Sequence, residues 1–361
     1  MPLSFSAKLI RWYKKEARDL PWRRTRDPYC VWISEVMLQQ TTVATVIPRY
    51  QRWMKLFPTL NHVAQTPLPK ILKSWQGLGY YARARNIHRS AKLMCEKGGR
   101  FPESPEGLRA LPGFGPYTVG AVLSIAFDQR QPIVDANVRR VGMRLLGIKG
   151  YADVSQDKKI FCFLDKVMPQ KDLRSFNQAL MELGALVCRP REVLCTQCPV
   201  KDYCVACKKG IQEVIPEPRK QETKEIHVSV GVIEQGSKYL IQQRPAQGLL
   251  ANLWEFPGGK IEAGETPVQA LHRELKEEIH VSVHNVRPLT KVRHYYTQFL
   301  AHLHVFLCQC NPGQTLLPSR TRKWVSLKEM TKYAMPSGSA RILEHLNNLH
   351  GSKLLDNKRF M

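Results

Sequence analysis

The chain has 361 residues, 43% of them hydrophobic, which is apolar enough for folded cores and long enough for two domains or three. Global disorder is excluded on that composition, and a membrane-spanning helix is excluded because no apolar run approaches the ~20 residues it needs. The 55 Lys and Arg against 30 Asp and Glu give a net charge of +25, which points to a polyanion, nucleic acid before all others, as the partner.

From Phe5 to about Cys207 apolar residues recur at intervals of three and four, the period of amphipathic helices. The spacing predicts helices over Val31–Tyr50, Leu68–Trp75, Ala82–Cys95, Thr118–Phe127 and Asn137–Leu146, broken at Pro and Gly clusters such as Gly77-Leu78-Gly79 and Leu111-Pro112-Gly113. Residues 208–225 are charged, proline-bearing and poor in large apolar side chains, and read as a linker. Beyond them the texture turns to strands over Ile226–Ile233, Tyr239–Gln243, Val281–Val286 and Ala301–Cys308, with one strong helix over Thr266–Glu278. The expected architecture is an all-α domain over residues 1–207, a linker over 208–225 and an α+β domain over 226–361. The basic excess lies mostly in the first part: residues 1–225 carry 38 Lys and Arg against 20 Asp and Glu, the remainder 17 against 10.

Ten cysteines and no recognisable secretion signal predict a soluble intracellular protein, where thiols stay reduced or bind metal. Four of them sit close together as Cys188-x6-Cys195-x2-Cys198-x5-Cys204. Thiolates this near one another suit a metal centre, and a single Fe–S cube takes four of them. Cys204-x2-Cys207 makes a second C-x2-C pair, so a zinc site on Cys195, Cys198, Cys204 and Cys207 is an alternative.

The segment Leu111-Pro-Gly-Phe-Gly-Pro-Tyr-Thr-Val-Gly-Ala121 has the form of a helix–hairpin–helix. Gly113 and Gly115 allow a tight turn, and the following helix, with Thr118 in its first turn, presents N–H groups to a DNA phosphate. Val134-Asp135-Ala136-Asn137-Val138-Arg139 follows at short distance, and the cysteine loop comes later. Together these motifs make the chain similar to the MutY-type adenine DNA glycosylases of the helix–hairpin–helix (endonuclease III) superfamily, and the resemblance covers nearly its whole length. It implies an iron–sulfur loop over residues 188–204 and a C-terminal Nudix-like, MutT-like domain.

The resemblance also implies roles for residues. In Ser34-Glu35-Val36-Met37-Leu38-Gln39-Gln40-Thr41, Glu35 would be the acid that protonates the departing adenine. Asp135 would stay ionised and stabilise the oxocarbenium-like sugar, with Asn137 beside it in the catalytic set. On their own these carboxylates could equally be a solvated helix residue and a helix N-cap. Tyr117 stands where a glycosylase/lyase carries a Schiff-base lysine, so the expectation is a monofunctional enzyme, with the phenol assisting near Asp135. Arg23, Trp22 and Gln178 would line the adenine pocket, and Gln40 and Tyr80 would wedge into the gap left by the flipped base. Trp22 and Tyr80 also read as core aromatics. Gly77–Arg85 suits a backbone-binding turn with its arginines on phosphate, and the cysteine loop would present Arg189, Arg191 and Lys201 to the same partner. The cluster itself has no redox step in such a hydrolysis and would be structural.

Gly259-x5-Glu265-x7-Arg273-Glu274-Leu275-Lys276-Glu277-Glu278-Ile279-His280 follows the Nudix box, departing at His280, where the motif has glycine. Glu274, Glu277 and Glu278 would share one helix face and could hold Mg²⁺. Either the domain keeps pyrophosphohydrolase activity on an oxidised nucleotide, or its helix is idle and the fold reads 8-oxoguanine, with Tyr296, Thr297 and Gln298 in the probing loop. The expected activity is excision of adenine opposite 8-oxoguanine, or opposite guanine, in double-stranded DNA by a cytoplasmic, DNA-associated monomer. An endonuclease III-like glycosylase/lyase acting on oxidised pyrimidines, and a catalytically silent DNA-binding protein with Nudix hydrolase activity, are the alternatives.

Overall fold

The computed structural model describes residues 4–219, 223–296, 299–314 and 319–356, with side chains to residue 350. Helices run in chain order as α1 (Phe5–Glu16), α2 (Pro28–Leu38), α3 (Val43–Leu56), α4 (Leu60–Gln65), α5 (Leu68–Ser74) and α6 (Ala82–Glu96). They continue as α7 (Pro105–Arg109), α8 (Pro116–Ala126), α9 (Ala136–Leu146), α10 (Asp157–Val167), α11 (Leu173–Leu186) and α12 (Val205–Lys208). The strands then begin: β1 (Lys224–Gln235), β2 (Lys238–Gln243), β3 (Trp254–Glu255), β4 (Gly258–Lys260), helix α13 (Pro267–Ile279), β5 (Val283–Tyr296), β6 (Phe299–Cys310) and β7 (Arg322–Val325). Helices α14 (Leu327–Met330) and α15 (Ser337–Asp356) close the chain.

Two compact units emerge, Met1–Gln65 with Asn86–Lys220, and Thr66–Arg85 with Gln221–Met361. Residues 66–85, expected within the first domain, thus pack with the second. The physical reason is a set of hydrogen bonds: Lys73 Nζ donates to Tyr333 O, Tyr81 OH to Met335 O, and an Arg85 guanidinium N–H to Ala251 O. The linker reading also needs correction. Ile215 is buried, its carbonyl accepts from Arg144 Nε at 2.6 Å, and Gly150 and Glu217 exchange hydrogen bonds, so this stretch is fastened to the first unit.

In the first unit one core gathers Leu9, Val141, Ile160, Leu164, Phe176 and Leu180 from α1, α9, α10 and α11. A smaller cluster of Val31, Ala121, Ile125 and Ile133 joins α2 to α8, with Tyr117 and Met181 packed on it. The helix expected over Val31–Tyr50 is two helices. The chain breaks at 39–42, where Gln40 takes a left-handed φ of 55° and Thr42 caps α3 by accepting from Thr45 N.

The second unit is built on a sheet with strand order β3-β2-β1-β6-β5, with β4 beside β1 and β7 beside β2. Strands β1 and β6 run parallel, with His227 opposite His302, and every other pairing is antiparallel. Leu271, Leu275 and Ile279 of α13 pack on one side of the sheet, and Ile342 and Leu346 of α15 belong to the core that contains Val230 and Leu303. Strand β1 is buried without a break over Ser229–Ile233, as a strand covered on both faces, which is why it was readable as an apolar, β-branched run, while β6 alternates only in part. Strand β5 is far longer than the expected Val281–Val286. Among the described residues it is an edge strand that pairs only with β6, and its Arg287, Lys291 and Arg293 mask the alternation.

Candidate active site

A cleft of about 660 Å³ in the first unit is lined by Trp22, Arg23, Glu35, Gln40, Tyr117, Asp135, Asn137 and Gln178. These residues come from segments far apart in the chain, from Trp22 to Gln178. Helix α2 is apolar on nearly every side, so Glu35 on it is 4% exposed, in contact with the core rather than water. Burial raises its pKa from 4.5 to about 7, against the opposing hydrogen bond from Tyr117, whose hydroxyl donates to Glu35 Oε2. The phenol was expected beside Asp135 and pairs with Glu35 instead. Tyr117 is itself pushed well above 10 by burial and by the Glu35 carboxylate, so it stays a donor.

Asp135 is the N-cap of α9: its Oδ1 accepts from Val138 N at 2.6 Å, and its Oδ2 from Asn137 Nδ2 at 3.4 Å. The cap reading and the cleft reading are therefore both true of one carboxylate. Burial raises its pKa, while the N–H donors and the nearby Arg140 pull it back. Asn137 is held in turn, its Oδ1 accepting from Arg140 at 2.9 Å.

The wall opposite is polar and interlocked. Arg23 donates to Glu182 Oε2 at 2.6 Å and Arg18 to both Glu182 oxygens at 2.7 and 2.8 Å. Burial alone would raise Glu182, but these guanidinium bonds carry it down to about 2. Gln178 accepts from Tyr13 OH at 2.8 Å, which aims its amide, and Trp22 packs edge-on against Tyr50 while lining the cleft. Glu182 and Arg18 were missed by sequence reasoning. Neither lies in a motif, and only the fold brings residues 18, 23 and 182 together.

The hairpin holds part of its expected form. Gly113 has a φ of 82°, and a Cβ there would meet Asn86 Cβ at 2.8 Å, so glycine is required. Gly115 is different: it is the N-cap of α8 with φ −75°, and a Cβ would meet nothing within 4 Å. No side chain caps the first turn of α8, which suits an anion there. The side chain of Thr118, in the first turn of α8, takes no part in that end of the helix, which leaves the backbone N–H as what this residue offers a phosphate. Its side chain is 2% exposed and accepts from Gln39 Nε2 at 3.3 Å, facing inward.

Tyr80 is absent from the cleft lining and sits in the second unit, 40% exposed with φ 45°, in a pocket of about 310 Å³ with His294, Tyr296 and Phe299. Thr297 and Gln298 lie outside the described residues. The arginines of Gly77–Arg85 turn inward: Arg83 donates to Leu78 O at 2.8 Å, and its burial lowers its pKa to about 10, while Arg85 holds Ala251 O.

The cysteine loop folds around a small apolar cavity lined by Cys188, Cys195, Cys198, Cys204 and Cys207, with Arg144 and Lys201 beside them. Arg144 donates to Cys188 Sγ at 3.2 Å and Cys207 N to Cys204 Sγ at 3.4 Å. As thiols they are held up by burial, Cys195 to about 11 and Cys198 to about 12. One zinc ion with Zn–S bonds of about 2.3 Å would draw its sulfurs to about 3.8 Å from one another. Among the described residues no three of these sulfurs close to within 4.8 Å, so the donor set fits a larger thiolate-bound centre better than one zinc.

In the second unit Arg273 bonds Glu265 at 2.6 and 2.8 Å, Glu274 at 3.0 Å and Glu277 at 3.3 Å, while Glu278 accepts from Gln242 at 2.8 Å. A Cβ at Gly259 would lie 2.1 Å from the Glu274 carboxyl carbon, so glycine is what lets that carboxyl approach. His280 ends α13 in the left-handed region at φ 57°. The three expected Mg²⁺ ligands share one helix but divide between Arg273 and Gln242.

Comparison with known proteins gives the family of both units. The family model described as HhH-GPD superfamily base excision DNA repair protein matches residues 33–168, and that of the NUDIX domain matches 229–345. The adenine DNA glycosylase of Rattus norvegicus is 34% identical over 94% of this chain and 77% of its own length. That of Buchnera aphidicola subsp. Schizaphis graminum is 32% identical over 94% of this chain and 98% of its own. A solved thermostable thymine-DNA glycosylase covers 57% of this chain and 95% of its own at a TM-score of 0.51 and 30% identity. The chain is a DNA N-glycosylase and belongs to the adenine DNA glycosylase family of base excision repair proteins.

Proposed function

We propose that this enzyme excises adenine opposite 8-oxoguanine by hydrolysis, without forming a covalent adduct. The observation that carries the mechanism is the buried Glu35 carboxyl, with a pKa of about 7 and the Tyr117 hydroxyl as its partner. Near neutral pH it can deliver a proton to the flipped adenine, so that the N-glycosidic electron pair leaves with a neutral base. Asp135 offsets the positive charge that develops on the sugar. Water then adds to the sugar and its proton returns to Glu35. Arg23, Trp22 and Gln178 form the base pocket, with Arg23 and Gln178 oriented by Glu182 and Tyr13. A phenol at position 117 cannot form an imine, which supports a monofunctional reaction.

Specificity for 8-oxoguanine is assigned to the second unit, where His294, Tyr296, Phe299 and Tyr80 offer aromatic surface for a lesion base. Single-turnover excision from A:8-oxoguanine, A:G and A:T duplexes tests the whole reading. The expected order is 8-oxoguanine first and thymine last, with Glu35→Gln inactive and no adduct trapped by borohydride. Equal rates on all three duplexes would remove the lesion assignment, and a trapped adduct the monofunctional one.

The cysteines Cys188, Cys195, Cys198 and Cys204 fit a 4Fe–4S cluster by donor type and spacing, and such a cluster would brace the loop that carries Arg189, Arg191 and Lys201. At the other end of the chain, the interlocked Gly259–Glu274 and Arg273–Glu265 contacts support a second reading, in which the acidic helix binds Mg²⁺. Its test is Mg²⁺-dependent hydrolysis of 8-oxo-dGTP by the full chain, lost in Glu277→Gln. Turnover equal in the two proteins would leave the helix idle.

A further inference from the structure

Strand alternation places Glu225 and His227 on one face of β1, and His302 and His304 on the same face of the adjacent parallel strand β6. The register sets His227 directly opposite His302, and their rings stack with centroids 4.7 Å apart and planes 11° from parallel. His302 Nε2 lies 2.9 Å from Glu225 Oε2, and His227 Nδ1 lies 3.3 Å from His304 Nε2. One donor atom each from Glu225, His227 and His302 falls within 4.8 Å of the others, a convergence matched by no other three His, Cys, Asp or Glu side chains among the described residues.

We propose that this cluster is a zinc site, with Glu225, His227 and His302 as ligands and His304 as the fourth donor through its contact with His227. Two or three imidazoles with one carboxylate are the donor set of zinc and its first-row neighbours, not of Mg²⁺ or Ca²⁺. Zinc bonds of about 2.0–2.1 Å in a tetrahedron set neighbouring donors about 3.4 Å apart, close to the His227–His304 separation. Glu225, His227 and His302 already converge, and His304 would join them by a shift of its side chain; the ion would replace the two hydrogen bonds, Glu225–His302 and His227–His304, that now hold the cluster in pairs. The ion would tie the first residues of β1 to the start of β6, and so fix where the chain enters the sheet. None of these residues belongs to the cleft or to the acidic helix.

The test is Zn²⁺ titration of the iron-replete full chain after dialysis against a chelator, comparing wild type with His227→Ala/His302→Ala and with Glu225→Gln. Wild type should take up one Zn²⁺ more than the double variant, and Glu225→Gln should bind that ion about tenfold more weakly. Co²⁺ in its place should give d–d bands without the thiolate charge-transfer absorption that binding at the cysteine loop would produce. Excision activity and the far-ultraviolet spectrum should be unchanged in the variants. Equal Zn²⁺ stoichiometry and affinity in all three proteins, or thiolate charge-transfer from the only Co²⁺ bound, would overturn the proposal. Should the double variant fail to fold, Glu225→Gln alone decides.

Discussion

The Tyr117 hydroxyl donates its hydrogen bond to the carboxyl of Glu35, and this bond opposes the rise that burial imposes on the acid. Excision should therefore be fast where Glu35 is protonated and fall about tenfold per pH unit above roughly pH 7. Tyr117→Phe removes the influence that lowers Glu35, so the falling limb should move to higher pH. A single-turnover pH profile of both proteins checks the direction of the shift.

Folding stability follows the same carboxyl. With a folded pKa of about 7, above its unfolded value, Glu35 is most favourable to folding at acidic pH, and that stability is lost as pH rises through 7. Glu35→Gln should consequently stabilise the protein at pH 8, by up to about 3 kcal/mol, and much less at pH 4. Calorimetric melts at the two pH values measure this.

Glu182 carries the opposite sign. Its pKa is depressed to about 2, so its contribution is present above the ordinary carboxylate range and vanishes as pH falls through 2. Glu182→Ala strands Arg18 and Arg23 beside a buried site and should cost about 3–5 kcal/mol in urea unfolding. A milder loss of affinity for the flipped base should accompany it, because Arg23 is no longer aimed.

The two hairpin glycines should respond differently to alanine. Gly113→Ala forces a left-handed residue into Asn86 and should cost at least about 1–2 kcal/mol, with weaker DNA binding. Gly115→Ala, extended and unobstructed, should stay within about 0.5 kcal/mol of the parent.

That contrast marks how far the sequence could be read. The glycine pattern revealed a hairpin, because only turns need such residues at that spacing, but it could not say which glycine was under steric demand. Glu35, Tyr117 and Asp135 were legible because each sits inside a local motif. The Arg18–Glu182–Arg23 network was not, since a contact spanning 164 positions leaves no local trace. The inward turn of the Thr118 side chain was not legible, because residue type alone does not tell the inner face of an apolar helix from its outer one. Arg83 and Arg85 looked like phosphate ligands by charge, yet their guanidiniums satisfy carbonyls within the second unit. The two His-x-His-like pairs on β1 and β6 become a cluster only through the parallel register that aligns them.

Within the cysteine loop, Cys198→Ser should abolish iron binding and the visible absorption of a cluster, whereas Cys207→Ser should keep both. Cys207 lines the same cavity, so the comparison measures ligation rather than proximity. Iron analysis of purified variants distinguishes the two.

His280→Gly relieves the left-handed strain at the end of α13 and should raise stability by about 1 kcal/mol, read as a higher melting temperature of the full chain.

Asp135 caps α9 with the same carboxylate that faces the cleft. In the reaction proposed above its negative charge is held ready by the fold: the cap bond to Val138 N fixes the carboxylate beforehand, and no rotamer need be frozen as the sugar becomes cationic. A residue whose position is already secured by folding arrives at the reaction pre-aimed. An exchange to Asn would keep the helix start while deleting the charge, separating in one atom the demands of folding from those of catalysis.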